Sequence, residues 1–184
     1  MLDKEIILVG YSGHGYVVAD VALSSNLNLK FYSEKRKLQN NPFELEYIGY
    51  ESYKNFEGWK GDYAFILGIG NNNARQKIAY LILSKNKKIY NVIHHSVSIA
   101  YKVIMGQGNF IARNVTINPL VRIGDFCILN TGCIIEHECL IADAVHVAPG
   151  AILAGNVKVG ERTFIGANAV VKQGVQIGKD VIVG

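Results

Sequence analysis

Apolar side chains return every six residues along the second half of the chain. From Ile99, through Ile111, Ile123, Ile135, Val147 and Val159, to Val183, all fifteen positions at this spacing are apolar. With 49% of the chain hydrophobic, an unbroken run of that length is a true repeat. The residue just after each aliphatic is often small, as at Gly106, Ala112, Gly124, Ala148, Gly160 and Gly178. A period of six matches neither a helix nor a simple strand alternation. It fits a solenoid of short strands joined by tight turns, with one aliphatic side chain pointing inward on each side. Three sides give a coil of about 18 residues, so residues 99–184 predict about five coils, a prism roughly 23 Å tall at the usual strand spacing.

The first half is patterned differently. An apolar run "EIILVG" leads into "GYSGHG" at 10–15, then "YVVADVALSS" with helical spacing, then "LKFYS". Strand, glycine-rich turn, helix and second strand form a βαβ opening. A second apolar run, "DYAFILGIG" at 62–70, precedes "NNNARQKIAYLILSKN", where Ile78, Leu81 and Ile82 suit one helix face. A small parallel-sheet domain over residues 1–92 is therefore expected ahead of a repeat domain over 93–184, joined near "IYNVIHHSVS" without a low-complexity linker.

Composition narrows the classes. The net charge of +4 is modest, and the basic residues are scattered, with "EKRK" at 34–37 the densest run, so there is no basic stripe for nucleic acid. The short run Ile6–Val9, preceded by acidic and basic residues and broken by Gly10, is neither a secretory signal nor a membrane span. Three cysteines without such a signal point to a cytoplasmic location with free thiols. Cys127, Cys133 and Cys139 all fall four residues after a repeat aliphatic, a slot held elsewhere by Val115, Val121 and Val157. They read as small inward residues.

The same phase bears on two histidines in "CIIEHECLIADAVHV". His137 falls two residues after Ile135 and His146 five after Ile141, so neither occupies an inward slot and both are expected on the outside or at corners. The spacing lacks the short two-histidine element of prism-borne zinc enzymes, so no metal is expected. A histidine flanked by acids, as in "EHE" at 136–138, is suited to general-base work near neutral pH, with both carboxylates candidates to orient the ring. Nine residues is half a coil, so His137 and His146 belong to different sides of one chain. They share a pocket only if prisms pack together, which predicts a symmetric oligomer with sites at its interfaces. "GYSGHG" is placed between strand and helix, where backbone N–H groups receive phosphate, although it also reads as a plain tight turn. Its glycine spacing is not that of a dinucleotide site. "GIGNNNAR" at 68–75 repeats the arrangement at the same sheet edge.

In order along the chain, "GYSGHG", "GIGNNNAR", "VIHHSV", "ILNTGCIIEHECLI", "HVAPGAILAGNVKVG" and "FIGANAVV" resemble the bacterial sugar acetyltransferases of the NeuD/PglD type. The resemblance implies an α/β Rossmann-like N-terminal domain followed by an all-β left-handed parallel β-helix of hexapeptide repeats, assembled as a homotrimer. It implies acetyl-CoA as co-substrate, no metal, and a small-molecule nucleotide-sugar substrate, with no nucleic-acid partner and no membrane insertion. Residue by residue, it implies His137 as general base with Glu138 as its orienting partner. His146 would lie near the acetyl group, contributed by the neighbouring subunit, with Asn130 as a substrate contact. The Gly155 N–H would stabilise the oxyanion and Ala167 would touch pantetheine. Gly13, His14, Gly15, Gly70 and Asn71 would hold the nucleotide or sugar side. Ser33 and Glu34 stand where many UDP-sugar members carry paired aspartates. The family usually continues past "GKDVIVG" into a last coil and a C-terminal segment, which this chain is expected to lack.

The activity so implied is N-acetylation of the 4-amino group of a nucleotide-linked 4-amino-4,6-dideoxy sugar, in surface-glycan or glycoprotein sugar synthesis. O-acetylation of sialic acid or a related sugar is the nearest alternative, and a non-catalytic trimeric nucleotide-sugar scaffold is the alternative from another class.

Overall fold

The computed structural model describes residues 4–184. The first domain is built on β1 (Ile6–Val9), β2 (Leu29–Ser33), β3 (Glu46–Tyr47), β4 (Ala64–Leu67) and β5 (Lys88–Ile89), with α1 (His14–Ser24) and α2 (Asn72–Ser84). The strands pair in parallel in the order β3-β2-β1-β4-β5. Every residue of β1 and β4 is buried, as expected of central parallel strands covered on both faces. Alternate side chains divide between the two faces. Ile6, Leu8 and Ile66 belong to the core that includes Val18, Ala19 and Ala22 of α1, whereas Ile7, Val9 and Phe65 pack with Ala79 and Ile82 of α2.

The repeat closes into three parallel sheets of two-residue strands, each strand pairing with the one 18 residues on, as in Thr116↔Ile134, Arg122↔Leu140 and Ile128↔His146. The six-residue period is also the period of the turns. Every sixth residue from Lys102 to Asp180 has φ between 56° and 74°, whether glycine (Gly108, Gly132, Gly150, Gly174) or not. Each corner needs one left-handed residue to bend the chain, and the ladders on both sides hold it there. The inward aliphatics Ile111, Ile117, Leu129, Ile135, Val147 and Leu153 are at most 1% exposed, and the three cysteines lie fully buried among them. Burial pushes the Cys127 and Cys133 thiols up to about 12, leaving them as packing groups.

The first domain sits on one outer face of the prism. That face carries the column Val92, Phe110, Ile128, His146, Phe164 and Ile182. Its members Phe110 and Ile128 are at most 2% exposed and share a core with α1. The buried stripe of α2 begins with polar residues, Asn72, Arg75 and Gln76, before Ala79 and Ile82. Of Ile78, Leu81 and Ile82, which the sequence put on one face, only Ile82 belongs to this stripe and the other two are half-buried, because the upper part of the stripe is polar and docks on the prism. Asn72 Nδ2 donates to the Arg162 and Thr163 carbonyls (2.8 and 3.2 Å), and Arg162 donates back to Gln76 Oε1 (3.0 Å).

Candidate active site

His137 and Glu138 form the turn between the strands Ile134–Ile135 and Leu140–Ile141. Glu138 takes the left-handed slot (φ 61°), and His137 Nδ1 lies 3.1 Å from Glu138 Oε2. The structure thus selects Glu138 over Glu136 as the partner carboxylate, and with Nδ1–H donating to it, Nε2 is left as the accepting nitrogen. The ring lies over Gly155, one coil further on. A Cβ at Gly155 would come within 2.6 Å of His137 Cε1 and Nε2, so only glycine leaves room for the imidazole there. Among the described residues the Gly155 N–H has no protein acceptor, while its carbonyl accepts from the Gly174 N–H (3.0 Å). Beside this corner a cleft of about 670 Å³ is lined by Glu138, Lys102, Leu120, Arg122, Leu140 and Lys158.

His146 points outward from its strand, as its phase predicts, yet it is only 8% exposed because its own first domain covers that face. Its ring stacks edge-on against Phe164 (4.9 Å) and lies 6.2 Å from the His14 ring. Asn130 Oδ1 accepts the Thr131 N–H (2.8 Å), which turns Nδ2 toward His146 Nε2 at 3.3 Å. His146 Nδ1 and His14 Nε2 are buried without hydrogen-bond partners among the described residues. Burial, with the Arg75 cation nearby, lowers His146 to about 3 and His14 to about 4, so both rings are neutral at physiological pH.

Arg75 went unread in the sequence as a functional residue, though "NNNAR" contained it. It is 1% exposed, and all its hydrogen-bond partners are neutral. Nε donates to the Phe126 carbonyl (2.7 Å), Nη1 to Ile69 and Gly70 (3.1 and 3.0 Å), and Nη2 to Asn72 Oδ1 and the Ala144 carbonyl (2.9 and 2.8 Å). One guanidinium therefore ties the second glycine turn to one corner of the prism, at two successive coils. Burial lowers its pKa to about 10, which leaves it charged. No motif spacing announces such a role, since it depends on carbonyls more than fifty residues away.

At the carboxyl edge of the first sheet lies a cavity of about 610 Å³, lined by Gly13, His14, Ser33, Glu34, Glu51 and Gly70, among others. Gly15 lets α1 approach the turn, for a Cβ there would meet the Gly10 carbonyl oxygen at 2.1 Å. Ser33 is fully buried and its hydroxyl donates to Glu51 Oε2 (2.6 Å), whereas Glu34 Oε1 accepts the Tyr11 N–H (2.9 Å). Burial raises the Glu51 carboxyl, partly opposed by the Ser33 bond. Asn71 caps α2 by accepting the Ala74 N–H (2.9 Å) and borders a smaller cleft with Gly70.

The expected residues therefore fall into separate groups. Gly13, His14, Ser33, Glu34 and Gly70 meet in the cavity, and the His14 ring lies 6.2 Å from that of His146, which in turn meets Asn130. His137, Glu138 and Gly155 occupy the prism corner opposite the face that carries the first domain. Ala167 is exposed in the turn after Phe164–Ile165, at the same corner as Asn130. Among the described residues no cluster of three or more His, Cys, Asp or Glu is placed to hold a metal ion, and no helix is long and apolar enough to cross a membrane.

Residues 5–82 match the PglD N-terminal domain, and residues 156–184 match the hexapeptide repeat of succinyl-transferase. The chain is 33% identical over 111 residues to a GDP-perosamine N-acetyltransferase of Escherichia coli O157:H7, an alignment covering 60% of this chain and 50% of that protein. It thus spans about half the length of that relative. The acetyltransferase domain of PglB from Neisseria gonorrhoeae, in complex with acetyl coenzyme A, superposes with a TM-score of 0.90 at 26% identity, covering 97% of this chain and 87% of that one. PerB from Caulobacter crescentus, in complex with CoA and GDP-perosamine, gives 0.90 at 29% identity over 98% and 86%. With a first domain that matches the PglD N-terminal domain set on a hexapeptide-repeat prism, the chain is similar over nearly its whole length to these acetyltransferases.

Proposed function

We propose that the protein is an acetyl-CoA-dependent N-acetyltransferase acting on the 4-amino group of a nucleotide-linked 4-amino-4,6-dideoxy sugar, as a cytoplasmic homotrimer with each active site between two chains. Its domains are a Rossmann-like unit (1–92) and a left-handed β-helix (93–184), and the strand on which that boundary falls, Val92–Ile93, pairs with Phe110–Ile111 as the first rung of the prism. The observation that carries the reading is the position of His137. It lies at the corner opposite the face on which its own first domain sits, so the cavity of another copy must deliver the substrate to it. The relatives that bind GDP-perosamine and acetyl coenzyme A support the choice of substrate and donor.

In this mechanism transfer is direct. His137 Nε2 takes a proton from the sugar amine as its nitrogen attacks the thioester carbonyl, and Glu138 steadies the imidazolium that forms. The Gly155 N–H, beside the ring, donates to the tetrahedral oxyanion. Collapse of the intermediate expels the CoA thiolate, which takes up the proton held by His137. Neutral His146 and Asn130 contribute to the acetyl side of the site, and Ala167 lies along the pantetheine path.

The test is to incubate the protein with acetyl-CoA and a panel of UDP-, dTDP- and GDP-linked amino sugars plus free sialic acid, following free thiol. Thiol release with amino sugars alone is expected. Release with sialic acid alone would replace N-acetylation by O-acetylation, and silence across the panel would leave the scaffold reading.

A further inference from the structure

We propose that Arg122, with Lys158 and Lys102 beside it, grips the diphosphate of a nucleotide sugar held by the neighbouring chain, so that the substrate is clamped between the first domain of one copy and one prism face of the next. The inference rests on the reading of an active site shared between chains. The distribution of charge over the prism and the cavity carries it.

Two prism faces meet at the corner that bears His137 and Glu138, and they differ in charge. One presents Ser98, Thr116, Ile134, Ile152 and Val170 outward, without an ionisable group. The other presents Ile104, Arg122, Leu140, Lys158 and Gln176. The cleft of about 670 Å³ lies on this second face, where Lys102 joins the two cations and Glu138 is the one carboxylate. That carboxylate already faces His137 at 3.1 Å. Elsewhere Arg113 and Arg162 are taken up by Asp20 and Asp180, but among the described residues the three cations of the cleft have no acidic partner. A concave site lined by unpaired charge of one sign draws a ligand of the other.

The first-domain cavity lacks that charge. Its ionisable lining is Lys35 and Lys77 against Glu34 and Glu51, with His14 held neutral by burial, so two cations offset two carboxylates. A diphosphate brought by this cavity therefore keeps its negative charge until a second surface meets it. His137 lies opposite its own first domain, so the cavity that serves it belongs to another copy, and the cationic face adjoins the corner where that copy arrives. The reach also fits. Leu140 follows His137 by three residues and pairs with Arg122 on one side and Lys158 on the other, which sets both cations on the order of 10 Å from the base. In a sugar acetylated at its 4-amino group, the diphosphate leaves from the opposite end of the pyranose ring. The flat guanidinium of Arg122 can give two parallel hydrogen bonds to phosphate oxygens there.

The test is calorimetric binding of UDP, GDP and CoA to the intact protein and to Arg122→Gln, with sedimentation run on both. The variant is expected to bind UDP and GDP about tenfold or more weakly, the scale of a hydrogen bond to a charged group, and CoA within about twofold. Should Arg122→Gln disturb assembly, Lys158→Gln decides instead, with a loss of about threefold or more for the same two nucleotides. Unchanged binding of UDP and GDP overturns the inference. Weaker binding of CoA alone assigns the cleft to the donor's phosphates and equally overturns it. Failure of both nucleotides to bind the natural protein overturns the inference together with the nucleotide-sugar reading. Nucleotide binding that weakens as expected, in a protein that releases no thiol with any amino sugar, upholds the grip and overturns acetyl transfer.

Discussion

Substituting Gly155→Ala separates the role of the His137 ring position from that of its chemistry. The new Cβ would meet His137 Cε1 and Nε2 at 2.6 Å and Nδ1 at 3.2 Å. Ordinary contact needs about 3.5 Å, so the ring must move by about 1 Å. It is free to do so, because the His137 side chain is 49% exposed, and the Gly155 backbone lies outside the left-handed region. Stability should therefore change by less than about 1 kcal/mol, with the reduced freedom of the unfolded chain offsetting some of the crowding. Displacement by about 1 Å moves Nε2 off the attacking amine and loosens the 3.1 Å bond to Glu138, and a misplacement of that size costs about a hundredfold in rate. The assay is thiol release from acetyl-CoA under saturating sugar nucleotide, with thermal unfolding measured on the same preparation. A rate within threefold of the natural protein, with unchanged melting, would refute the proposed geometry of base and oxyanion donor.

Three further outcomes are expected. His137→Ala should lose at least about a hundredfold in rate while assembling normally, measured by the same thiol assay and by sedimentation. Arg75→Met should destabilise the fold by about 3 kcal/mol or more in urea unfolding, because four carbonyl contacts spanning both domains lose a charged donor; Arg75→Lys, with three donors, should restore only part. His146 and His14 are lowered to about 3 and 4, so the unfolded chain binds protons that the fold refuses; stability is full above about pH 6.5 and falls as pH drops toward 4, by about 1.4 kcal/mol per unit for each ring. His146→Gln should roughly halve that slope in urea titrations between pH 6 and 4, leaving the part due to His14.

The prism was legible because its rule is local. Each six-residue unit repeats one inward aliphatic and one left-handed corner, so the positions of Ile135, Cys139 and His137 follow from counting alone. The choice of Glu138 over Glu136 was not legible, since it depends on the φ of 61° that the corner imposes. His146 shows a second limit. Its phase gave the direction of its side chain, but its burial comes from the first domain, which covers that one face of the prism. Arg75 shows a third, for a buried cation held by the carbonyls of Phe126 and Ala144 leaves no periodic or spacing signal. Ser33 was read beside Glu34 as a ligand contact, and the structure places both at the cavity but commits the Ser33 hydroxyl to Glu51, a pairing across 18 residues that carry only the two-residue strand β3.

The most direct test of an active site shared between chains is complementation. His137→Ala and His146→Gln are each predicted to be inactive alone. Co-expressed in equal amounts as mixed trimers, they should recover about a quarter of the natural activity, the share of interfaces that pair an intact His137 from one chain with an intact His146 from the next. Mixed assemblies no more active than either variant alone would contradict a site built from two subunits.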